Sequence, residues 1–258
     1  MNKALLVGIN HYQLPGNNLS GCINDINDMK ATLIAAYGYG AGDIQVLTDS
    51  QATKANIIGA LRQLMASGAD HMTFHYSGHG TQFFDPRRNE NCDGICPVDI
   101  KDMSTLIPDF DLGTIFATAP AGSHLSFIAD CCHSGTIDRD FYFGNPHPHR
   151  VRTMHIPGTS NPHLDCKASG KGMRDMTLAG VHVLLAGCRD DQTSADACFN
   201  NRPNGALTYA IIQAIKHNPK QTWTQLCNNI VSWLAINGYA QVPQLSGPGN
   251  LLSAIVFQ

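Results

Sequence analysis

The sequence predicts an α/β fold built on a mostly parallel, about six-stranded sheet with helices on both faces. Two observations carry this expectation. Short, nearly continuous apolar runs of strand length recur along the chain, as expected of strands buried on both faces. Between them lie longer stretches of helical periodicity, which make right-length crossovers for a parallel sheet. With 258 residues and 43% hydrophobic composition, one core of this kind can be filled.

The elements follow in order. Lys3 to Asn10 reads as the first buried strand. From Cys22 to Tyr37, Ile23, Ile26, Met29, Leu33 and Ile34 recur at helical spacing, and Gly38 ends the helix. Asp43 to Thr48 is a second strand. Thr53 then caps a helix carrying Ile57, Ile58, Leu61 and Leu64 on one face. His71 to Ser77 and Ser123 to Asp130 are the third and fourth strands, Val181 to Cys188 the fifth, and Leu252 to Phe257 the sixth. Helices near Ala206 to Lys216 and Thr222 to Asn237 separate the last two strands. Two regions break the alternation. Gln82 to Asp111 is polar and turn-rich, and Phe141 to Asp175 is interrupted by Pro146, Pro148, Gly158, Pro162 and Gly170. Loops this long inside a compact domain are usually functional or disordered.

Composition narrows the function classes. Charged residues make up 14% of the chain and the formal charge is −3, so nothing draws it toward nucleic acid or anionic membranes. No apolar run approaches the roughly 18 residues needed to span a bilayer. The first strand pattern begins at Lys3 and leaves no room for a signal peptide, so a cytoplasmic protein without an N-terminal recruitment segment is expected. Nine scattered cysteines fit reduced thiols better than a disulfide frame. Cys92 and Cys96 lack the second pair that a zinc knuckle needs, and His147, His149, His155 and His163 read as exposed loop histidines rather than a metal tract.

The chemistry sits at two strand ends. Phe74-His75-Tyr76-Ser77-Gly78-His79-Gly80 and Ile128-Ala129-Asp130-Cys131-Cys132-His133-Ser134-Gly135 each place a reactive side chain just past an apolar run. Neighbouring parallel strands ending this way bring a histidine and a cysteine together at the carboxyl edge of the sheet, where open α/β folds build their sites. Histidine takes the thiol proton, and the thiolate is the nucleophile. Cys131, one residue earlier on an alternating strand end, points the other way and packs.

The chain resembles the caspase-like cysteine peptidases, and among them the metacaspases of the type I-like or prokaryotic single-chain kind. The resemblance rests on Leu6-Val7-Gly8-Ile9-Asn10, Leu19-Ser20-Gly21-Cys22-Ile23-Asn24-Asp25, Tyr76-Ser77-Gly78-His79-Gly80, Asp130-Cys131-Cys132-His133-Ser134-Gly135 and Ala186-Gly187-Cys188-Arg189-Asp190-Asp191-Gln192-Thr193-Ser194-Ala195-Asp196. It implies a caspase-like three-layer sandwich over residues 1–258 as one peptidase domain: a large catalytic segment (about 1–140), a linker loop (141–175) and a small C-terminal segment (176–258).

It further implies Cys132 as nucleophile, His79 as general base and later acid, and the N–H groups of Gly80 and Cys132 as the oxyanion hole. Asp25 and Asp130 would line the pocket for the residue before the cut bond, together with Cys22 and Ser77. Two carboxylates favour a guanidinium or ammonium, so the expected substrates are proteins or peptides cut after Arg or Lys. Relatives also suggest calcium held by Asp93, Asp109 and Asp138, although Phe110 stands where another acidic ligand is expected, which weakens the site. A role in stress, cell death or defence, and activation by an ion, a small ligand, a protein or loop cleavage, follow from the resemblance too. The linker carries Arg150, Arg152, Lys167, Lys171 and Arg174, so slow self-cleavage somewhere between Arg150 and Arg174 is expected, while activity on small substrates is expected not to require it. Two other readings stand beside this one. A catalytically silent caspase fold acting as a binding module would have lost one of Cys132, His79, Asp25 or Asp130. A flavodoxin-like nucleotide binder would carry a glycine-rich loop where Asn10-His11-Tyr12-Gln13 follow the first strand.

Overall fold

The structure is a computed structural model that describes residues 1–132, 150–157, 183–189 and 192–258. In chain order the elements are β1 (Asn2–Gly8), α1 (Cys22–Tyr37), β2 (Ile44–Thr48), α2 (Lys54–Met65), β3 (His71–Ser77), β4 (Gly80–Asp85), β5 (Glu90–Ile95), β6 (Ile107–Pro108), α3 (Asp109–Phe116), β7 (His124–Asp130), β8 (Arg150–Val151), β9 (Val183–Ala186), β10 (Ala195–Phe199), β11 (Arg202–Gly205), α4 (Ala206–His217), α5 (Trp223–Ile236), β12 (Gln244–Ser246) and α6 (Gly249–Leu252). The main sheet has six strands in the order β12-β9-β7-β3-β1-β2. All its pairings are parallel except β12 with β9.

Strand alternation divides the core in two. Leu5, Val7, Phe74, Tyr76, Phe127 and Ala129 face α2 and α3, with Phe74 stacked on Phe127 at 4.7 Å between ring centroids. Ala4, Leu6, Ile128 and Leu185 face the opposite layer, made by α1, α4 and α5. Each helix therefore needs one apolar stripe, which is the spacing read in α1 and α2. Gly38 ends α1 at φ 69°, a left-handed conformation that favours glycine, and the Thr53 side chain accepts from Asn56 N at the start of α2.

Three expectations need correction. The sixth strand is Gln244–Ser246, not Leu252–Phe257; Gly249–Leu252 is helical, and Val256 and Phe257 bury into the second core layer without joining the sheet. Gln82 to Asp111 is not a plain loop. It contains most of a hairpin of β4 and β5, with β6 and α3 beyond it, and the chain turns through Asn89 at φ 54°. Within the linker, Arg150–Val151 form a short strand on β10 rather than irregular chain. No helix among the described residues is long and apolar enough to cross a membrane.

Candidate active site

The register of β3 on β7 pairs Ser77 with Asp130. His79 and Cys132 each lie two residues past that pair, so the parallel sheet delivers both to the same edge, as the sequence suggested. Gly78 makes the turn between Ser77 and His79. A Cβ there would come within 2.5 Å of the Tyr76 hydroxyl and 2.6 Å of the Tyr12 hydroxyl. Those hydroxyls hold the histidine's main chain: Tyr12 accepts from His79 N–H at 2.7 Å and Tyr76 donates to the His79 carbonyl at 2.7 Å.

His79 Nε2 lies 2.9 Å from the Asn17 carbonyl, whereas Nδ1 is buried and has no hydrogen-bond partner. Burial pushes the imidazole down to about 4, so it is neutral at neutral pH and free to accept a proton. Cys132 is fully buried. Its Sγ accepts from the Ser194 N–H and donates to the Ser194 carbonyl at 3.4 Å. Among the described residues, no hydrogen bond links Sγ to His79. Cys131 packs into the core layer of α2 and α3, on the opposite side from Cys132's partners.

The pocket beside them is filled from within the chain. Arg152 is fully buried, and its guanidinium lies 2.8 Å from Asp25, 3.2 Å from Asp130 and 3.0 Å from Asp196, with Ser77 Oγ accepting at 2.8 Å. The Arg152 carbonyl accepts from Gly80 N–H at 3.0 Å and from Cys132 N–H at 3.1 Å. These are the two donors assigned above to an oxyanion hole. Cys22 is buried beside the same guanidinium, whose charge opposes the strong upward push of burial on its thiol. Thus Asp25, Asp130, Cys22 and Ser77 come together around one cation, next to His79, Gly80 and Cys132.

The carboxylates are held by neutral donors as well. Asp25 accepts from Gly205 N–H, Asn204 Nδ2 and Ser77 Oγ. Asp130 accepts from Ser194 Oγ and from the N–H and hydroxyl of Thr208. Asp196 accepts from the N–H groups of Ser20 and Gly21 at the start of α1, where the helix dipole favours negative charge. Asp196 and Gly205 are pocket residues that no sequence argument singled out. A Cβ on Gly205 would collide with the Asp130 carboxylate and the Arg152 guanidinium, so glycine is what opens the pocket. Gly205→Ala is expected to lower turnover of Arg substrates by raising KM, which steady-state kinetics would show.

Burial pushes Asp25 up to about 6, with Arg152 pulling it down and Asp130 pushing it further up. Being an acid, it carries its charge above that value and loses it below. Affinity for a cation in this pocket should therefore fall on acidification as Asp25 takes up a proton, and that part of the pH dependence should be lost in Asp25→Asn, as binding of a basic ligand measured across the acid range would show.

The remaining predicted residues divide. Asp93 and Asp109 are buried close enough to interact electrostatically, and neither pairs with Arg152. Asp138 and His133-Ser134-Gly135 lie outside the described residues, as do His147, His149, His163, Lys167, Lys171 and Arg174. His155 is exposed, as expected of a loop histidine.

Residues 2–139 match the family model described as "Metacaspase, peptidase C14 domain". A metacaspase-1 of Scheffersomyces stipitis is 34% identical over 283 residues, which cover 95% of this chain and 70% of the relative. The metacaspase-1 of Coccidioides immitis is also 34% identical, covering 95% and 61%, and metacaspase-1B of Neurospora crassa is 34% identical, covering 99% and 68%. The chain therefore spans between 61% and 70% of the length of these three relatives. In fold it is similar to a Geobacter sulfurreducens protein of known crystal structure, with a TM-score of 0.73 at 23% identity over 98% of this chain and 96% of that one. Caspase-1 from Spodoptera frugiperda superposes with a TM-score of 0.62 at 12% identity over 95% and 86% of the two chains.

Proposed function

For a chain that belongs to the metacaspase family, and is therefore a cysteine-type peptidase, we propose an endopeptidase that cuts after Arg or Lys with Cys132 as nucleophile and His79 as general base. The observation that carries this reading is Arg152, a basic residue seated among three carboxylates with its carbonyl on two N–H donors. An arginyl substrate in the same seat would present its scissile carbonyl to the Gly80 and Cys132 N–H groups. Cys132, once its proton passes to His79, attacks the carbonyl carbon, and the two N–H groups hold the developing oxyanion. Losing one such donor typically costs about 100- to 1000-fold in rate. The protonated His79 then gives its proton to the leaving amine, and water hydrolyses the thioester. The proposed setting, regulated proteolysis in stress, cell death or defence, rests on family membership alone. Matched fluorogenic substrates ending in Arg, Lys and Asp test the specificity; comparable turnover of the Asp substrate would overturn it.

We propose calcium as an accessory ligand at Asp93 and Asp109, with Asp138, which lies outside the described residues, as the third expected ligand. Among the described residues, no group of three or more His, Cys, Asp or Glu side chains could hold a metal ion. Phe110 packs on the core and offers no oxygen. What supports the site is the pair itself. Burial, then the Asp93 charge, pushes Asp109 up to about 7, a repulsion that a bound cation would relieve. Calcium should raise the Tm more at pH 8 than at pH 6, because Asp109 is ionised only above about 7. Asp93→Asn should abolish the shift, and an unchanged shift in that variant would remove the site.

A further inference from the structure

We propose that His75, which touches neither nucleophile nor substrate, is a positioning residue for Asp130: its ring fixes the Thr208 hydroxyl hydrogen on that carboxylate and so keeps the carboxylate aimed at the substrate's basic side chain. The proposal rests on the Arg/Lys reading above and adds a specificity-determining residue to it.

The placement comes from β3. Its register sets His75 between Leu6 of β1 and Ile128 of β7, both in the core layer of α1, α4 and α5. Phe74 and Tyr76 face the other layer, so alternation turns Thr73, His75 and Ser77 toward this apolar one, and all three are buried. Thr73 is matched by the Tyr39 hydroxyl at 2.9 Å, and Ser77 donates to Asp25 at 2.8 Å. His75 Nε2 lies 3.1 Å from Thr208 Oγ1, which donates in turn to Asp130 Oδ2 at 2.7 Å. Thr208 N–H reaches the same oxygen at 3.0 Å.

The proton directions follow from the carboxylate. Asp130 receives Ser194 Oγ, the Thr208 N–H and the Arg152 guanidinium, so it acts as an acceptor only. The single Thr208 hydroxyl hydrogen therefore points at Asp130, and His75 Nε2 is the donor to Thr208 Oγ1. That selects the neutral tautomer with its proton on Nε2 and a bare lone pair on Nδ1. Nδ1 is buried with no hydrogen-bond partner among the described residues, and a proton there would have no acceptor. Burial pushes the imidazole down to about 4, so at neutral pH the ring has only the Nε2 hydrogen to give.

Packing alone does not select histidine here. Leu6 and Ile128 flank it, and a buried ring with one unpartnered nitrogen fills an apolar site poorly. What gains is the pocket. Oδ2 of Asp130, the oxygen that Thr208 holds, is also the one 3.2 Å from the Arg152 guanidinium. Thr208 stands in the first turn of α4, and a helical threonine hydroxyl can otherwise turn to a backbone carbonyl about one turn earlier. With the His75 N–H on its oxygen, the hydroxyl keeps its hydrogen on Asp130, and the second Asp130 oxygen stays on Ser194 Oγ. The cation-binding carboxylate is thus held at both oxygens before any substrate arrives.

The test compares His75→Leu, His75→Gln and Thr208→Val in steady-state kinetics on Arg substrates and in thermal unfolding of the full chain. Leu suits the apolar neighbours but gives no proton, so the Tm should hold. KM should rise about 10-fold with kcat little changed, the lower end of what losing a group that orients a ligating side chain costs at metal sites. Gln offers an N–H near the Nε2 position and should restore KM. Thr208→Val should raise KM at least as far, and adding His75→Leu to it should change nothing more. Nitrogen NMR of the wild-type ring should show the proton on Nε2, a readout that needs no variant to fold. A proton on Nδ1, a His75→Leu chain that loses Tm but keeps its KM, or additive KM losses in the double variant would overturn the proposal and leave the Arg/Lys specificity standing. A wild-type chain that turns over neither Arg nor Lys substrates would remove that specificity, and the proposal with it.

Discussion

Cys132→Ala is expected to lower turnover of Arg and Lys substrates by about 10⁴-fold or more, as removal of a nucleophile does elsewhere, while the protein stays folded. The loss in stability should be small. Sγ receives the Ser194 N–H, and leaving that buried donor unpaired costs about 1–3 kcal/mol. Cys131→Ala should behave in the opposite way. Its side chain fills the core layer of α2 and α3, so its loss leaves a small cavity worth about 1 kcal/mol, with turnover retained. Urea unfolding and steady-state kinetics on the two variants separate the roles of two adjacent thiols. Full activity in Cys132→Ala would end the assignment of the nucleophile.

Asp25→Asn carries the second-largest expected effect. One Asp25 oxygen receives Asn204 and the other receives Ser77 and the Arg152 guanidinium, while Gly205 N–H reaches both. The amide of Asn can present only one acceptor oxygen to this ring of donors and has no charge for the cation. Breaking a buried ion pair on one side costs about 3–5 kcal/mol, which corresponds to roughly 10²- to 10⁴-fold in kcat/KM. Discrimination between Arg and Gln before the cut bond should shrink with it. Because Asp130 and Asp196 remain, Asp substrates should stay uncut in the variant.

The parts of the fold that position the reactive groups were the parts most legible in the sequence. β1, β3 and β7 are central strands buried on both faces, so they read as mostly apolar segments, with Thr73 and His75 of β3 buried through hydrogen bonds to Tyr39 and Thr208, and the site motifs begin where those segments stop. The hairpins were harder. In β10–β11 the turn is Asn200-Asn201, both at positive φ (52° and 61°), a conformation asparagine tolerates but a weaker signal than an Asn-Gly pair. β12, a half-buried edge strand, has only Leu245 as an apolar residue, whereas Leu252 to Phe257 looks like a strand because Val256 and Phe257 are needed in the core.

The site was read unevenly for a similar reason. His79, Cys132, Asp25 and Asp130 lie in motifs with local signatures. Asp196 closes a quoted motif, yet its role depends on reaching Arg152 and the start of α1 across the fold. Gly205 acts by lacking a side chain, and nothing nearby in sequence says so. Arg152 is one of five basic residues in a linker, and its place among three carboxylates follows from the pairing of Arg150–Val151 with β10, a contact distant in sequence.

Cleavage-site profiling of a complex peptide mixture, with every new terminus identified by mass spectrometry, separates specificity for basic residues from the alternatives. Arg or Lys is expected on the N-terminal side of essentially every cut made by the wild-type chain, with no cuts by Cys132→Ala. A profile led by Asp, or one without preference at that position, would contradict it.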